Sequence, residues 1–497
     1  MKLDDFLNNI PTTADINWLF DKQTIKDAAS LDPNELMIVC SELKQTFSAG
    51  DVNSWRSQVR KAQKKAPTHI QIANMYIKAN RKRIIYTRGD WHIYQNGVWA
   101  KYDDFLFMQE IKALLEGLEK SHGMEFSAYA AKSIISFIEA ELSISESIVD
   151  SDPNLINMKN GVFHIDTRTL MPHDPKYLLT TQLPFDYDPG AAAPMWQGYL
   201  KSTFVNPIQD DKPIDEDTAL IGFLRQAIGY SLTLHTGREK TFWCVGEGSN
   251  GKGVLFHVLQ KLVGQASVAL DLNNLTNNQY QLAMLAGKKI AFCTEADKDA
   301  NMVNDGQIKA LISGDEMMVR QIRERPFVLK NTAKLWWSMN NFPHVKDTSH
   351  GFWRRVMVIP FNRIFTEGEA VLGLKDILET ELSGIFNWAV DGLTSLEDNG
   401  WIMPTQISRL TEKYKKESNI VELFIEDKCV LTKGEKIKSS NLYNAYKDWC
   451  DKNGYQKKSS KNFKNELERL KIFSARESSG VYYLDIELDP NHMFQSN

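Results

Sequence analysis

Apolar positions along this chain change their spacing several times. Residues 1 to about 145 carry them at helical intervals, interrupted by one hairpin-like run, RIIYTRGDWHIYQNGVWAKY, in which Asn96-Gly97 is a two-residue turn signal between β-rich stretches. From Asp152 to Pro194 the chain is rich in Pro, Asp and Thr, and the short apolar runs NLINMKNGVFHID and LPFDYDPG predict small strands and a connector. Leu220 to Leu234 is again apolar at helical spacing. It leads into Thr241 to Phe361, where short apolar strands alternate with helices as in an α/β sheet. After Thr366 the pattern is helical to about Ser418. The tail then gives two helix signals, SSNLYNAYKDWCDKNG and SSKNFKNELERLKIF, and a hairpin in which RESSG separates IFSA from VYYLDIEL. Helix, helix, hairpin is the winged-helix order. The expected fold is a multi-domain α/β protein. It comprises a helical N-terminal region with one hairpin (1–150), a small β-rich connector (151–215), an α/β core (216–370), a helical connector (371–417) and a winged-helix-like domain (418–497).

Composition narrows the class. At 497 residues and 42% apolar content the chain suits about three globular domains. No apolar stretch approaches the roughly 20 residues that cross a bilayer, and MKLDDFLNNIPTTAD lacks a basic segment leading into an apolar one, so a cytosolic protein is expected. The five cysteines are scattered and the histidines form no ligand-like cluster, which indicates neither a disulfide framework nor a zinc site. The net charge of -4 is unevenly spread. Arg56 to Arg88 holds ten Lys/Arg and no Asp/Glu, and Thr411 to Arg476 holds sixteen against ten. Such lobes suit a nucleic-acid partner, although solvated helix faces produce them too.

The strongest chemical signal is the strand TFWCV, the loop GEGSNGKG and the helix VLFHVLQKLVG. Glycines let backbone N–H groups turn inward around phosphate oxygens, and the helix start adds partial positive charge. Gly246, Glu247, Gly248, Ser249, Asn250, Gly251, Lys252, Gly253 and Val254 are therefore the expected ATP-binding residues, with Lys252 reaching the β- and γ-phosphates. Gly253 departs from the pattern, since a Ser or Thr hydroxyl usually binds magnesium there. Phosphates, water and carboxylates must then hold the Mg2+.

Downstream residues extend the site. The apolar strand Ile290 to Cys293 leads to Glu295 and Asp297, candidates for magnesium binding, with Glu295 also the candidate general base. The strand LWWSMN ends at Asn340, whose carboxamide suits a γ-phosphate or a water and is favoured for that role over the bland alternative, a capped turn before Pro343. Arg354 and Arg355 precede another apolar strand, and either guanidinium suits a phosphate bound by a neighbouring subunit. Between these lies a strand, basic turn, strand signal with Arg320, Arg323, Arg325 and Lys330. It is readable as a solvated hairpin or as one that tracks a phosphodiester backbone.

Taken in order, GEGSNGKG, the Glu295 strand, the basic hairpin, WWSMNNFP and GFWRRVMVIPF resemble the superfamily 3 helicases, in particular the helicase half of phage, plasmid and poxvirus primase-helicases. NLINMKNGVFHID and LPFDYDP extend the resemblance upstream. It implies an AAA+-type core, usually hexameric, that moves along single-stranded DNA using ATP. Asn340 matches the sensor asparagine and one of Arg354 or Arg355 the arginine finger. The partners expected are single-stranded or forked DNA, further copies of the chain and a separate primase or other replication protein, in a phage or other mobile element within a bacterial cell. No primase site is evident in the chain itself, since the adjacent Asp103 and Asp104 would point to opposite faces of a strand. Two rival readings stand beside the motor: a DNA-binding initiator platform with a structural nucleotide, favoured by Gly253, and an ATPase coupled to a protein partner.

Overall fold

The computed structural model describes residues 2–62, 67–122, 127–205, 217–271, 278–294, 305–321, 326–340 and 350–489. Contacts divide the chain into two units, Met1–Gln95 with Trp99–Glu146, and Asn96–Val98 with Ser147–Asn497.

Long helices of the first unit span Pro33–Thr46, Ala49–Ala62, His69–Asn80, Asp104–His122 and Ala128–Leu142. Asp32 and Thr68 open two of them with capping boxes, in which Glu35 and Gln71 reach back to the cap amide. One apolar cluster gathers around Leu43 and Trp55, another around Trp91, Phe107 and Ile134. The expected single hairpin is corrected to a three-stranded sheet of β1 (Ile84–Thr87), β2 (Asp90–Gln95) and β3 (Val98–Tyr102). Asn96 and Gly97 take the positive φ, 50° and 80°, that such a turn requires. Arg88 and Gly89 do the same at 55° and 81°. That second turn escapes notice because arginine is an unusual left-handed residue.

In the second unit, β4 (Leu155–Met158), β5 (Gly161–His164) and β6 (Thr169–Met171) form the small antiparallel sheet expected there. Helices Pro194–Thr203 and Thr218–Ser231 follow. Next come β7 (Thr241–Val245), β8 (Ser267–Asp271), β9 (Ile290–Thr294), β10 (Glu316–Arg320), β11 (Pro326–Lys330), β12 (Lys334–Met339) and β13 (Val356–Pro360). Five of them make one sheet in the order β13-β7-β12-β9-β8, with every pairing parallel. Burial on both faces explains why TFWCV and VMVIP read as unbroken apolar runs. The chain enters at β7, travels to β8 at one edge, returns through β9 and β12, and crosses to β13 on the other flank. β7 therefore sits where the strand order reverses, and in open parallel sheets ligands bind outside the carboxyl ends at that position.

Helices Leu374–Thr380, Leu382–Asn399, Thr405–Ser418 and Ile420–Lys428 lead to the C-terminal region. There β14 (Cys429–Val430) and β15 (Lys436–Lys438) precede helices Ser439–Asn453 and Ser460–Arg469, and β16 (Ser474–Glu477), β17 (Gly480–Leu484) and β18 (Glu487–Leu488) follow them. The helix, helix, hairpin order is present, with β15 added to the hairpin in the order β15-β17-β16. Phe424, Tyr446, Trp449 and Phe463 fill a core of their own. No described helix is long and apolar enough to cross a membrane.

At the amino edge of the parallel sheet two lysines are buried. Helix Thr218–Ser231 has no basic residue in its last turn, and the carbonyls just beyond it receive ammonium groups from other elements instead. Lys289 Nζ donates to Leu232 O at 2.8 Å, and Lys334 Nζ donates to Thr233 O at 2.6 Å and Thr332 O at 3.0 Å. Burial pushes Lys289 down to about 8 and Lys334 well below the ordinary lysine range. An unfolded lysine keeps its proton to about pH 10.4, so between these values the unfolded chain binds more protons and the fold gains stability as pH rises. Urea denaturation at pH 8 and pH 10 should show the parent gaining on Lys289→Met by up to about 1.4 kcal/mol per pH unit. Parallel pH dependences for the two proteins would contradict the assignment.

Candidate nucleotide site

β7 delivers Val245 to the carboxyl edge, where the chain turns through Gly246 to Gly251 into helix Lys252–Val263. Leu255, Val258, Leu259, Leu262 and Val263 form its buried face, with Val254 half-buried beside them. Gly246 has no room for a side chain, because a Cβ would lie 2.4 Å from Phe361 O and 2.5 Å from Asn250 Nδ2. Gly251 starts the helix at φ 89°, and Tyr199 donates its hydroxyl to the Gly251 carbonyl at 3.1 Å. Glu247, Gly248 and Ser249 are exposed, whereas Asn250 is buried. Its side chain accepts from Lys252 N at 3.3 Å and donates to Phe361 O at 3.4 Å. Phe365 N donates to Ser249 O at 2.8 Å. The loop is thus pinned by the chain leaving β13 and by helix Pro194–Thr203.

Lys252 is buried, and its ammonium donates to Asn340 Oδ1 at 3.0 Å, to Met339 O at 3.2 Å and to Gly246 O. Two residues 88 positions apart meet here because parallel β7 and β12 end level, with Met339 opposite Val245. Ammonium, glycine turn and helix start are a donor set suited to phosphate oxygens. Gly253 is exposed, and nothing lies within 4 Å of where its Cβ would stand. No steric reason excludes a hydroxyl-bearing residue there. Among the described residues no group of three or more His, Cys, Asp or Glu is arranged to hold a metal. Glu295 and Asp297 lie outside the described residues, after β9 ends at Thr294.

Arg354 and Arg355 occupy the opposite edge. β13 runs level with β7 from Val356 beside Thr241 to Pro360 beside Val245, so the arginines stand about 17 Å from their own loop at roughly 3.3 Å per residue. Arg355 is 11% exposed, and its guanidinium donates to Glu239 and Ser313 Oγ, both at 2.9 Å, and to Gly351 O. Arg354 also pairs with Glu239 but is 46% exposed. Burial alone would raise the Glu239 carboxyl, but the Ser313 hydrogen bond and both guanidinium groups hold it below the ordinary range. Lys240 donates to Arg354 O at 2.5 Å, and burial together with Arg354 pushes its ammonium down to about 8.

β10 and β11 form the expected hairpin. Arg320 and Lys330 are exposed on it, with Arg320 opposite Pro326 and Lys330 opposite Glu316. The Arg320 guanidinium lies 5.7 Å from the centre of the Tyr280 ring. Arg323 and Arg325 lie outside the described residues. Tyr199, Phe361, Phe365 and Glu239 support these sites without any local motif that marks them.

Residues 71–205 match a family described as D5 N terminal like, residues 244–355 a family of unknown function, and residues 416–484 one described as Poxvirus D5 protein-like. The chain resembles D5-type viral proteins on both sides of its central sheet. A "Putative helicase" of Acanthamoeba polyphaga mimivirus is 25% identical over 333 residues, covering 61% of this chain and 34% of the relative. A "Putative helicase" of Frog virus 3 is 24% identical over 258 residues, covering 46% and 26%. A "Putative primase" of African swine fever virus is 23% identical over 326 residues, covering 63% and 32%. The chain spans about a third or less of the length of these relatives. Its fold is similar to that of the apo C-terminal region of NrS-1, with a TM-score of 0.50 at 12% identity over 84% of this chain and 99% of that one.

The glycines of the loop make opposite predictions. Gly246→Ala must displace backbone and should cost about 1–3 kcal/mol, with loss of nucleotide binding. Gly253→Ser enters open space within a helix and should stay within about 1 kcal/mol of the parent. Thermal melting and titration with a fluorescent ATP analogue check both, and equal behaviour of the two variants would refute the geometry.

Proposed function

We propose that this chain is the motor of an ATP-dependent DNA helicase that works as a homo-oligomeric ring, hexameric in the family it resembles. The observation that carries the reading is the contact between the Lys252 ammonium and Asn340, at the reversal of strand order and directly behind a glycine turn. Lys252 and the loop from Gly246 to Val254 bind the phosphates of ATP. Glu295 orients and deprotonates the attacking water, and Asn340 senses the γ-phosphate. Magnesium, held by Glu295 and Asp297 with phosphates and water, supplies charge neutralisation when bound. Arg354 is the better candidate to complete a neighbour's site, since it is half exposed while Arg355 is held by Ser313, Gly351 and Glu239. Arg320, Arg323, Arg325 and Lys330 of the hairpin engage the DNA backbone, and the C-terminal region acts as a winged helix. The helicase and primase names of the viral relatives support a place in DNA replication. We assign no primase chemistry to this chain and take a separate primase or other replication protein as a partner.

In ATPase and strand-separation assays the parent should hydrolyse ATP faster with single-stranded DNA and unwind a fork. Lys252→Ala should lose nucleotide binding. Glu295→Gln should retain binding but lose about a hundredfold or more in hydrolysis. Arg354→Ala should be inactive alone yet recover activity when mixed with Lys252→Ala subunits, because each variant supplies what the other lacks. A parent without DNA-stimulated ATPase at any magnesium concentration would sink the motor reading. Gly253 keeps one alternative open, the initiator platform, which predicts DNA and nucleotide binding with no unwinding.

A further inference from the structure

A carboxylate shared by both arginines sits in the turn before β7. One oxygen of Glu239 accepts from Arg355 at 2.9 Å and from Ser313 Oγ at 2.8 Å, and the other pairs with Arg354. Glu239 itself holds φ 48°, the left-handed region that a residue with a side chain seldom adopts, and its amide donates to Thr236 O at 2.8 Å. Strain of this kind persists where the surroundings fix it, and it gathers at functional sites. Here it aims the carboxylate between two guanidinium groups.

The same turn supports the root of the β10–β11 hairpin. Ser313 ends helix Asp305–Ser313, and only Gly314 and Asp315 separate it from β10. Gly314, at φ 73°, passes so close to the turn that a Cβ would stand 2.7 Å from Thr236 Oγ1. The returning leg is fixed to the same helix, since Asn331, directly after β11, donates to Leu311 O at 2.9 Å. Charge at the cluster is unbalanced. Arg354, Arg355 and Lys240, whose ammonium donates to Arg354 O, all gather at the Glu239 carboxylate. A second anion arriving from solvent meets the half-exposed Arg354 first, while Arg355 keeps the carboxylate in place.

We propose that Glu239 is a positioning residue for Arg354 and ties that arginine to the root of the hairpin. With no phosphate across the subunit interface, Glu239 holds Arg354 back on its own chain. When a neighbour's nucleotide takes the guanidinium, Glu239 is left to Arg355 and Ser313, and the helix that carries the hairpin registers the change through that hydroxyl. The inference rests on the reading above of Arg354 as the residue that completes a neighbour's site.

The test mixes full-chain subunits and measures ATP hydrolysis with and without single-stranded DNA. Glu239→Gln should bind a fluorescent ATP analogue as the parent does, yet lose about tenfold or more in kcat at unchanged KM. Mixed with Lys252→Ala subunits it should regain hydrolysis, because those supply an intact pair of Glu239 and Arg354. Mixed with Arg354→Ala it should regain nothing. Glu239→Asp keeps the charge and should show the same pattern with a smaller loss, so a Gln chain that fails to fold leaves the comparison available. Ser313→Ala should lower the ratio of DNA-stimulated to basal hydrolysis about fivefold, which a loss of stability alone would not do. Parent-like hydrolysis by Glu239→Gln, or a loss relieved by Arg354→Ala subunits, overturns the proposal and leaves the motor reading standing. The same holds if Lys252→Ala relieves Arg354→Ala but neither Glu239 variant. An unchanged ratio in Ser313→Ala overturns the link to the hairpin. If Lys252→Ala relieves none of these variants, Arg354 serves no neighbour, and the reading beneath falls together with the proposal.

Discussion

Strand polarity is the constraint on which the rest of the structure depends. All five strands of the central sheet point the same way, so whatever follows each strand is delivered to one edge and whatever precedes it to the other. The glycine turn after β7, the asparagine after β12 and the phenylalanine after β13 are assembled by this rule rather than by proximity in sequence. A single antiparallel strand would have sent its end to the wrong side.

The two edges carry different chemistry for the same reason. The carboxyl edge collects backbone turns and a buried ammonium, a local environment made for oxyanions. The amino edge collects Lys240, Lys289, Lys334, Arg354 and Arg355, where burial works against the charged form of the lysines. Glu239 is the counterweight beside the arginine pair. Its shared position between two guanidinium groups leaves one of them deeply held and the other nearer solvent.

Much of this was legible in the residues themselves. The strand, loop and helix around Lys252 announce themselves because burial on both sheet faces demands a continuous apolar run, and the helix that follows buries one stripe. The hairpin of β10 and β11 and the C-terminal helix pair were legible on the same grounds. The Lys252 and Asn340 contact was not, since it depends on β12 returning beside β7, which no local pattern encodes. Buried Lys289 and Lys334 were missed because a lysine's sequence neighbours do not reveal which distant carbonyls will receive it. Arg354 and Arg355 look alike in sequence, and the difference between them comes from Ser313 on a distant segment and from the carbonyl of Gly351, four residues before Arg355.

The acceptors already gathered around Lys252 set a threshold for any ligand of the loop. An ammonium in contact with two carbonyls and a carboxamide is not waiting for a partner, so a neutral hydroxyl or a weak dipole offers it nothing that it lacks. Only a group with substantially greater negative charge can draw it away, and when that group leaves the ammonium falls back on the same three oxygens. A ligand of the loop would therefore be selected by charge density before shape, and Lys252 would have a defined arrangement to return to on its release.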